Sequence, residues 1–400
     1  MRNPRICVFF SDTGGGHRSA AEAVEQALLD LLNQVEPDSP SAEILVDNGV
    51  EKSHPVNRYF VQLYNYLLRH NQSMMKYYYW FIEQTKPNNS EYGYQVSKPY
   101  LLKLIEESDV DMIVSVHPMS NHYLARAIKD SGRDVKLITV VTDPNGDFWS
   151  GWACPDADLT IVPNDLGRDR LLSWGIKPEK IMMAGMPVHP DFIKPPTTSR
   201  AEFLAHLGLS PDKPTVCINA GWAGGGNTLA IYKALAQNNR HAQVVFLCGH
   251  NTELYERVKR EAKDSGIPTA ILPFHDRMSD LMSAVDLMVT KAGGLTSFEA
   301  IARRLPMAID MITLPMPQEL GTARMLCEQG VASAIEKPED IIDVVNRIKV
   351  RTPENEMVLP SAHGLNKVGA VYDIASTVLN MAGVKLKPAS KEAFTGRVQA

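Results

Sequence analysis

Short apolar, β-branched runs alternate with helical patterns along the chain, and this restricts it to parallel sheets wrapped by helices. Ile6–Phe10 is one such run, and the helical spacing of Ala20, Ala21, Val24, Ala27, Leu28 and Leu31 follows it. Further runs predict strands over Ala42–Val46, Met112–Ser115, Val135–Val141, Leu159–Val162 and Ile181–Ala184. A second set covers Thr215–Asn219, Gln243–Cys248, Thr269–Leu272, Leu287–Thr290 and Met307–Ile309. Between the sets, Asp191–Ser199 with Pro195 and Pro196 at its middle reads as a linker. The halves share a plan without a residue-level repeat. In each, the first strand runs into three glycines, Gly14–Gly16 and Gly224–Gly226. The expected fold is α/β, two doubly wound Rossmann-like domains whose ligand crevices, at the strand C-termini, open toward one cleft. The expected boundaries are 1–190 for the first domain, 191–213 for the linker and 214–360 for the second domain. Residues 361–400 form a helix and tail, spaced by Val368, Val371, Ile374 and Val378, that pack back toward the first domain.

A length of 400 residues suits two domains, and 44% hydrophobic with 22% charged residues is a soluble globular composition. The net charge of −5 argues against a nucleic-acid partner. Cys7, Cys154, Cys217, Cys248 and Cys327 lie far apart with no CxxC pair, which predicts free thiols in a reducing cytoplasm. Arg2 and Arg5 precede an apolar run too short for a signal-peptide core, and no run of membrane-spanning length follows. Lying against a membrane stays open. Between Pro55 and Tyr100 the pattern changes to a dense set of rings, among them Tyr59, Phe60, Tyr64, Tyr77, Trp80 and Phe81, interleaved with Arg58, Arg69, Lys76 and Lys86. This segment is either a helical element for the lipid–water interface or an aromatic layer packed on the sheet.

Ser11–His17 reads Ser-Asp-Thr-Gly-Gly-Gly-His. A strand that turns on glycines into a helix presents free N–H groups at the positive helix end, and a histidine there can exchange protons with what binds. No Lys-Ser/Thr pair closes the loop, so it is not a Walker A motif. His17 is therefore a candidate base, or a residue that caps the helix or binds an anion. Asp12 or Asp143 orients the imidazole, or each is a turn residue. His117, after a strand, touches the acceptor or belongs to a helix start; Trp149, Trp152 and Trp222 stack on a sugar, border the lipid entrance or are core. In the second half, Thr290 ends a strand, Gly293 and Gly294 let a backbone approach a ligand, and Thr296 with Ser297 opens a helix suited to a diphosphate. Glu299 either holds a vicinal diol or caps that helix. The glycine run with Asn219, Gly225 and Gly226 has little purpose in a plain strand-to-helix turn and reads as lining a diphosphate.

The ordered set 11–23, Gly185–Val188, Phe274–Met278, Thr290–Gly294, Glu299–Ala300 and Pro317–Glu319 resembles one family. It is that of the monogalactosyldiacylglycerol synthases and processive diacylglycerol glucosyltransferases, inverting GT-B enzymes related more distantly to MurG. The resemblance spans roughly residues 5–335 and implies a GT-B fold and hexose transfer from a UDP-sugar to diacylglycerol or a related lipid. It places the glycine loop on Gly14–His17 (with Gly15 and Gly16 toward the donor) and the base on His17. It places the ribose carboxylate on Glu299, the hexose pair on Gln318 and Glu319, and the uracil segment on Phe274–Met278. The diphosphate turn falls on Gly293, Gly294 and Thr296. Leu320–Thr322 departs from the family's Gly-Asn step, and the loop from Thr142 to Trp149 lacks its histidine, which leaves hexose and acceptor open.

The expected chemistry is inversion, with His17 taking the acceptor proton and amide groups holding the departing UDP. The UDP-sugar is a substrate, and neither a cofactor nor a metal is required. The expected location is the inner face of the cell membrane, peripherally, from the cytoplasm. The alternatives are a UDP-GlcNAc 2-epimerase-like enzyme of the same fold, or a non-catalytic nucleotide-sugar-binding protein.

Overall fold

The computed structural model describes residues 2–70, 74–239, 241–351, 365, 367 and 369–387. They form a two-domain α/β protein of the GT-B type. One unit comprises Met1–Tyr64, Tyr77–Ile193 and the C-terminal segment that carries the helix Ala370–Met381; the other comprises Asn65–Lys76 and Lys194–Leu365.

The first unit holds strands β1 (Arg5–Phe9), β2 (Glu43–Asp47), β3 (Met112–Ser115), β4 (Lys136–Val140), β5 (Leu159–Val162) and β6 (Ile181–Met183). All pair in parallel in the order β2-β1-β3-β4-β5-β6, with Ile6 opposite both Ile44 and Met112. Central strands buried on both faces read as continuous apolar runs, and Ile6, Cys7, Val8 and Phe9 are indeed closed to solvent. The helix Gly16–Leu32 buries a stripe from Ala20 to Leu31. The helix Ala370–Met381 packs on it, with Tyr372 Oη donating to Asp30 Oδ2 at 2.7 Å and Lys136 Nζ donating to the Met381 carbonyl at 2.8 Å. The residues expected to begin this helix, 361–364, 366 and Val368, lie outside the described set.

The second unit holds β7 (Thr215–Asn219), β8 (Gln243–Leu247), β9 (Thr269–Leu272), β10 (Leu287–Thr290), β11 (Met307–Asp310) and β12 (Ala332–Ile335), parallel in the order β12-β11-β10-β7-β8-β9. Strand β12 was not legible as a strand in the sequence. The stretch 191–213, expected as linker, contains a helix, Arg200–His206. A capping box starts it: Ser199 Oγ accepts the Glu202 N–H, and the Glu202 carboxylate turns back to the Ser199 N–H. Beside it Arg200 forks onto Asp286, which is closed to solvent.

Cys7, Cys154, Cys217 and Cys248 are buried, Cys327 is half-buried, and none is paired. Burial pushes their thiols up, Cys154 to about 11, so thiolate chemistry is suppressed. The aromatic segment folds as helices Pro55–His70 and Met75–Thr85. Val61 and Ile82 point inward and Tyr64 meets Tyr78 edge-on, but Tyr59, Phe60, Tyr77, Trp80 and Phe81 are exposed, Trp80 by 65%. An aromatic layer packed on the sheet is therefore the wrong description of these five rings.

Candidate active site

In each sheet the strand order reverses beside the first strand of the unit, between β1 and β3 and between β7 and β10. Loops leaving adjacent strands on opposite faces part there and leave a crevice at the carboxyl ends. Both glycine-rich loops and both candidate site halves lie at these two points.

In the first unit, Gly14 and Gly15 adopt φ of 76° and 85°, left-handed values that a residue with a Cβ adopts only under strain. They let the chain turn from β1 into the helix Gly16–Leu32, which no side chain caps. The loop is anchored from behind by Glu51, whose Oε1 accepts the Ser11 hydroxyl at 2.8 Å and the Asp12 N–H at 2.6 Å. Burial holds that carboxyl above its usual range. Glu51 was missed because its role depends on a helix 40 residues downstream of Ser11.

His17, in the first turn, has its Nδ1 2.8 Å from the Val116 carbonyl and 3.3 Å from Thr142 Oγ1. A carbonyl only accepts, so Nδ1 carries the proton and the lone pair resides on Nε2. The expectation that a carboxylate orients this ring is corrected. Asp12 is forked by Arg18 at 2.7 Å to each oxygen and touched by Asn48, while Asp143 accepts the Trp152 indole N–H at 2.7 Å. Both carboxylates are engaged elsewhere, Asp12 by an arginine in the first turn of the helix that follows its loop and Asp143 by the fully buried Trp152. Burial raises the Asp143 carboxyl, against the pull of that indole.

His117 lies edge-on to His17, with ring centroids 4.3 Å apart. The Met119 N–H donates to its Nδ1, so its Nε2–H faces Thr13 Oγ1 at 2.9 Å. Both nitrogens are spent within the protein and the residue is buried, so it packs and positions His17 and Thr13 rather than gripping an acceptor. Trp149 is half-buried, and its indole N–H is enclosed without a partner among the described residues.

Burial pushes the His17 imidazole down to about 4, against the Val116 hydrogen bond that favours its charged form. His117 is lowered well below its usual value by burial and then by His17. The free base on His17 therefore persists far below pH 6. The acid limb of kcat/KM is expected to fall near pH 4 rather than near the usual histidine value of about 6.5, which a pH–rate profile reads directly. The stability sign follows. Between those two values the unfolded chain takes up a proton that the folded ring refuses, so stability declines as pH falls through that window and is flat above it.

In the second unit, Asn219 Oδ1 accepts the Gly221 N–H at 2.9 Å and turns the chain into the loop Trp222–Gly226. A Cβ on Gly224 would lie 2.2 Å from the Cys248 carbonyl oxygen, so only glycine fits. The Gly225 N–H bonds back to Ala220. Asn227 N-caps the helix Thr228–Asn238 without bonding it; its side chain and N–H go instead to Asp310, at 3.0 and 2.8 Å. After β10, the helix Gly294–Ala302 begins at Gly293 with no side-chain cap, two residues earlier than expected, so Thr296 sits inside the first turn. Glu299 lies one turn further and is buried.

Three rings from the loops after β7, β8 and β9 form a ladder. Trp222 meets His250 at 5.1 Å, and His250 stacks on Phe274 at 4.6 Å with 13° between planes. Phe274 is 49% exposed. His250 carried no signal in the sequence, since it stands alone after β8. Met278 opens the helix Met278–Ala284. Glu319 lies in the first turn of the helix Pro317–Glu328 beside Gln318, whose side chain lies outside the described residues. No three His, Cys, Asp or Glu side chains converge as metal ligands among the described residues.

Residues 17–188 match the monogalactosyldiacylglycerol (MGDG) synthase family, and residues 227–324 match the glycosyltransferase family 28 C-terminal domain. Among curated relatives, a probable monogalactosyldiacylglycerol synthase of Nicotiana tabacum is 28% identical over 92% of this chain and 69% of its own length. A processive diacylglycerol beta-glucosyltransferase of Bacillus subtilis is 25% identical over 86% of this chain and 87% of its own. Among solved structures, Acinetobacter baumannii MurG superposes with a TM-score of 0.59 at 15% identity, over 94% of this chain and all of that one. A UDP-N-acetylglucosamine 2-epimerase gives the same TM-score at 15% identity, over 96% and 97%. At such identities the structures speak for the fold alone.

Proposed function

From a chain whose residues 17–188 match the MGDG synthase family and whose residues 227–324 match the glycosyltransferase family 28 C-terminal domain, we propose an inverting UDP-sugar-dependent hexosyltransferase acting on diacylglycerol or a closely related lipid alcohol. The single observation that carries this reading is the neutral His17 imidazole, with Nδ1–H fixed by Val116 and the Nε2 lone pair unspent. In the reaction the acceptor oxygen attacks the anomeric carbon and its proton passes to Nε2. The bond from that carbon to the diphosphate breaks, and its electron pair leaves with UDP. Attack opposite the leaving group turns an α-linked donor into a β-glycoside. The enclosed indole N–H of Trp149, without a partner among the described residues, is available to donate to an acceptor oxygen. No bound metal enters this scheme, because helix N-termini and loop amides take up the charge on the departing UDP.

On the donor side, the exposed ring of Phe274 suits the uracil, the uncapped helix Gly294–Ala302 the diphosphate, and Glu299 the ribose diol. Glu299→Ala is then expected to raise the KM for the UDP-sugar about 10-fold or more while kcat changes little, as loss of a hydrogen bond to a charged group does. Steady-state kinetics at varied donor concentration measure it, and an unchanged KM would remove Glu299 from the donor site.

The lipid side is served by the rings Tyr59, Phe60, Tyr77, Trp80 and Phe81, with the exposed Arg58 and Lys86 beside them. Such rings rest at a lipid–water interface and cations draw them to an anionic surface, so the protein acts peripherally on a membrane. Among the described residues no helix is long and apolar enough to cross one. The deciding experiment incubates the purified protein with diacylglycerol liposomes and a panel of UDP-sugars and identifies products by mass spectrometry. A β-hexosyl diacylglycerol is expected. Conversion of UDP-GlcNAc without liposomes would indicate an epimerase, and UDP binding without any product a sensor.

A further inference from the structure

Lys291 directly follows β10, the strand beside β7 at which the second sheet reverses. Its stem crosses the glycine loop. A Cβ placed on Gly226 would meet Lys291 Cε at 3.4 Å and Asp310 Oδ2 at 3.1 Å, and Gly226 itself adopts φ of 82°. Glycine here keeps open the space that the lysine occupies.

The ammonium of Lys291 makes no hydrogen bond or ion pair among the described residues. Three other cations of this unit are committed: Arg200 to Asp286, Arg277 to Asp280, Lys233 to Glu261. Asp310, which with the lysine stem borders Gly226, is filled by the Asn227 N–H and amide group and by the Ile312 N–H. A half-buried cation thus stands unspent beside an uncapped helix, Gly294–Ala302. On that same helix Ser297 is closed to solvent and its hydroxyl meets no partner. A positive charge and uncapped N–H groups at one strand end call for an anion, and a buried hydroxyl calls for a hydrogen-bond partner.

We infer that Lys291 is a catalytic residue on the donor side, its ammonium paired with the diphosphate of the nucleotide sugar. The inference rests on the hexosyltransferase reading above and adds a residue that it did not use. When the anomeric carbon–oxygen bond breaks, the electron pair moves onto the diphosphate oxygen, the acceptor oxygen bonds to the carbon and its proton goes to His17. The leaving group gains one negative charge. The Lys291 ammonium offsets that charge as it grows, which lowers the barrier more than it tightens ground-state binding.

Calorimetry with UDP and with uridine on the wild type, Lys291→Met and Lys291→Arg separates this role from packing, with turnover measured alongside. Lys291→Met is expected to weaken UDP about 10–100-fold, the range for a hydrogen bond to a charged group, and to leave uridine unchanged. Its kcat should fall at saturating donor, and Lys291→Arg should recover most of the UDP affinity. Lys291→Gln, which keeps a polar stem of similar length, replaces Lys291→Met if the latter does not fold. Equal UDP affinity in the uncharged variant would overturn the role of Lys291 while leaving the hexosyltransferase reading intact, and so would a parallel loss of uridine. Absence of UDP binding by the wild type would overturn both.

Discussion

His17→Ala should lower kcat by about 10²–10⁴-fold, the range for a positioned general base, while UDP still binds. The expectation rests on the ring's fixed tautomer. With Nδ1–H held by Val116 and Thr142, the only atom left to accept a proton is Nε2, and no neighbouring carboxylate stands ready to replace it, since Asp12 is forked by Arg18 and Asp143 is bonded to Trp152. His117 cannot substitute either, because its Nδ1 already accepts a backbone N–H and its Nε2–H faces Thr13. Radiolabelled hexose transfer measures the rate, and calorimetry with UDP measures binding. Near-wild-type turnover would reject the assignment. Loss of UDP binding together with turnover would point instead to a damaged loop, and His17→Gln then separates the two.

Asp286→Ala should destabilise the second unit by about 3–5 kcal/mol, the usual result of stripping one partner from a buried ion pair. The carboxylate is fully closed to solvent and receives four donors. Arg200 Nη1 and the Arg351 N–H reach Oδ1 at 3.0 and 2.7 Å; Arg200 Nη2 and the Thr215 N–H reach Oδ2 at 2.8 and 2.7 Å. This one side chain ties the start of helix Arg200–His206, the start of β7 and the residue before β10 into one network, and Arg351 joins it from the far end of the unit. Removing it strips the Arg200 guanidinium of its counter-charge, leaving it the Pro211, Lys213 and Ala284 carbonyls, and leaves two N–H groups without acceptors in a poorly solvated place. Against a domain stability of about 5–15 kcal/mol the loss is large, and urea unfolding followed by tryptophan fluorescence should show a lower midpoint with a similar slope. A midpoint within error of the wild type would show that solvent relieves the stranded donors.

Strands were legible where both faces are covered. Ile6–Phe9, Val216–Ile218 and Leu287–Val289 are unbroken apolar runs because nothing on either side of the sheet is wet, and their ends fell within a residue or so of the sequence reading. Strand β12 was missed for the converse reason: Ala332, Ser333 and Ala334 are small and partly exposed at a sheet edge, so the run carries no hydrophobic signal. The helix Arg200–His206 was hidden by the prolines before it, although Ser199 and Glu202 spell its capping box. Within the site, the glycine turn and its histidine were readable because they are contiguous. The groups that fix that histidine were not, since Val116 and Thr142 lie 99 and 125 residues away and act through a carbonyl and a hydroxyl that any sequence contains in quantity. The two aspartates were drawn toward the imidazole by proximity in sequence and expected loop position, whereas better donors, an arginine and an indole, hold them in the fold.

The helix Ala370–Met381 belongs to the first unit although all of the second is encoded before it. During synthesis the second unit has its whole sequence available while the first still lacks the partner for Gly16–Leu32, so the apolar flank of that early helix waits, open to chaperones or to self-association, until the final segment emerges. A released chain truncated after residue 365 should therefore carry a finished second unit behind an unfinished first one.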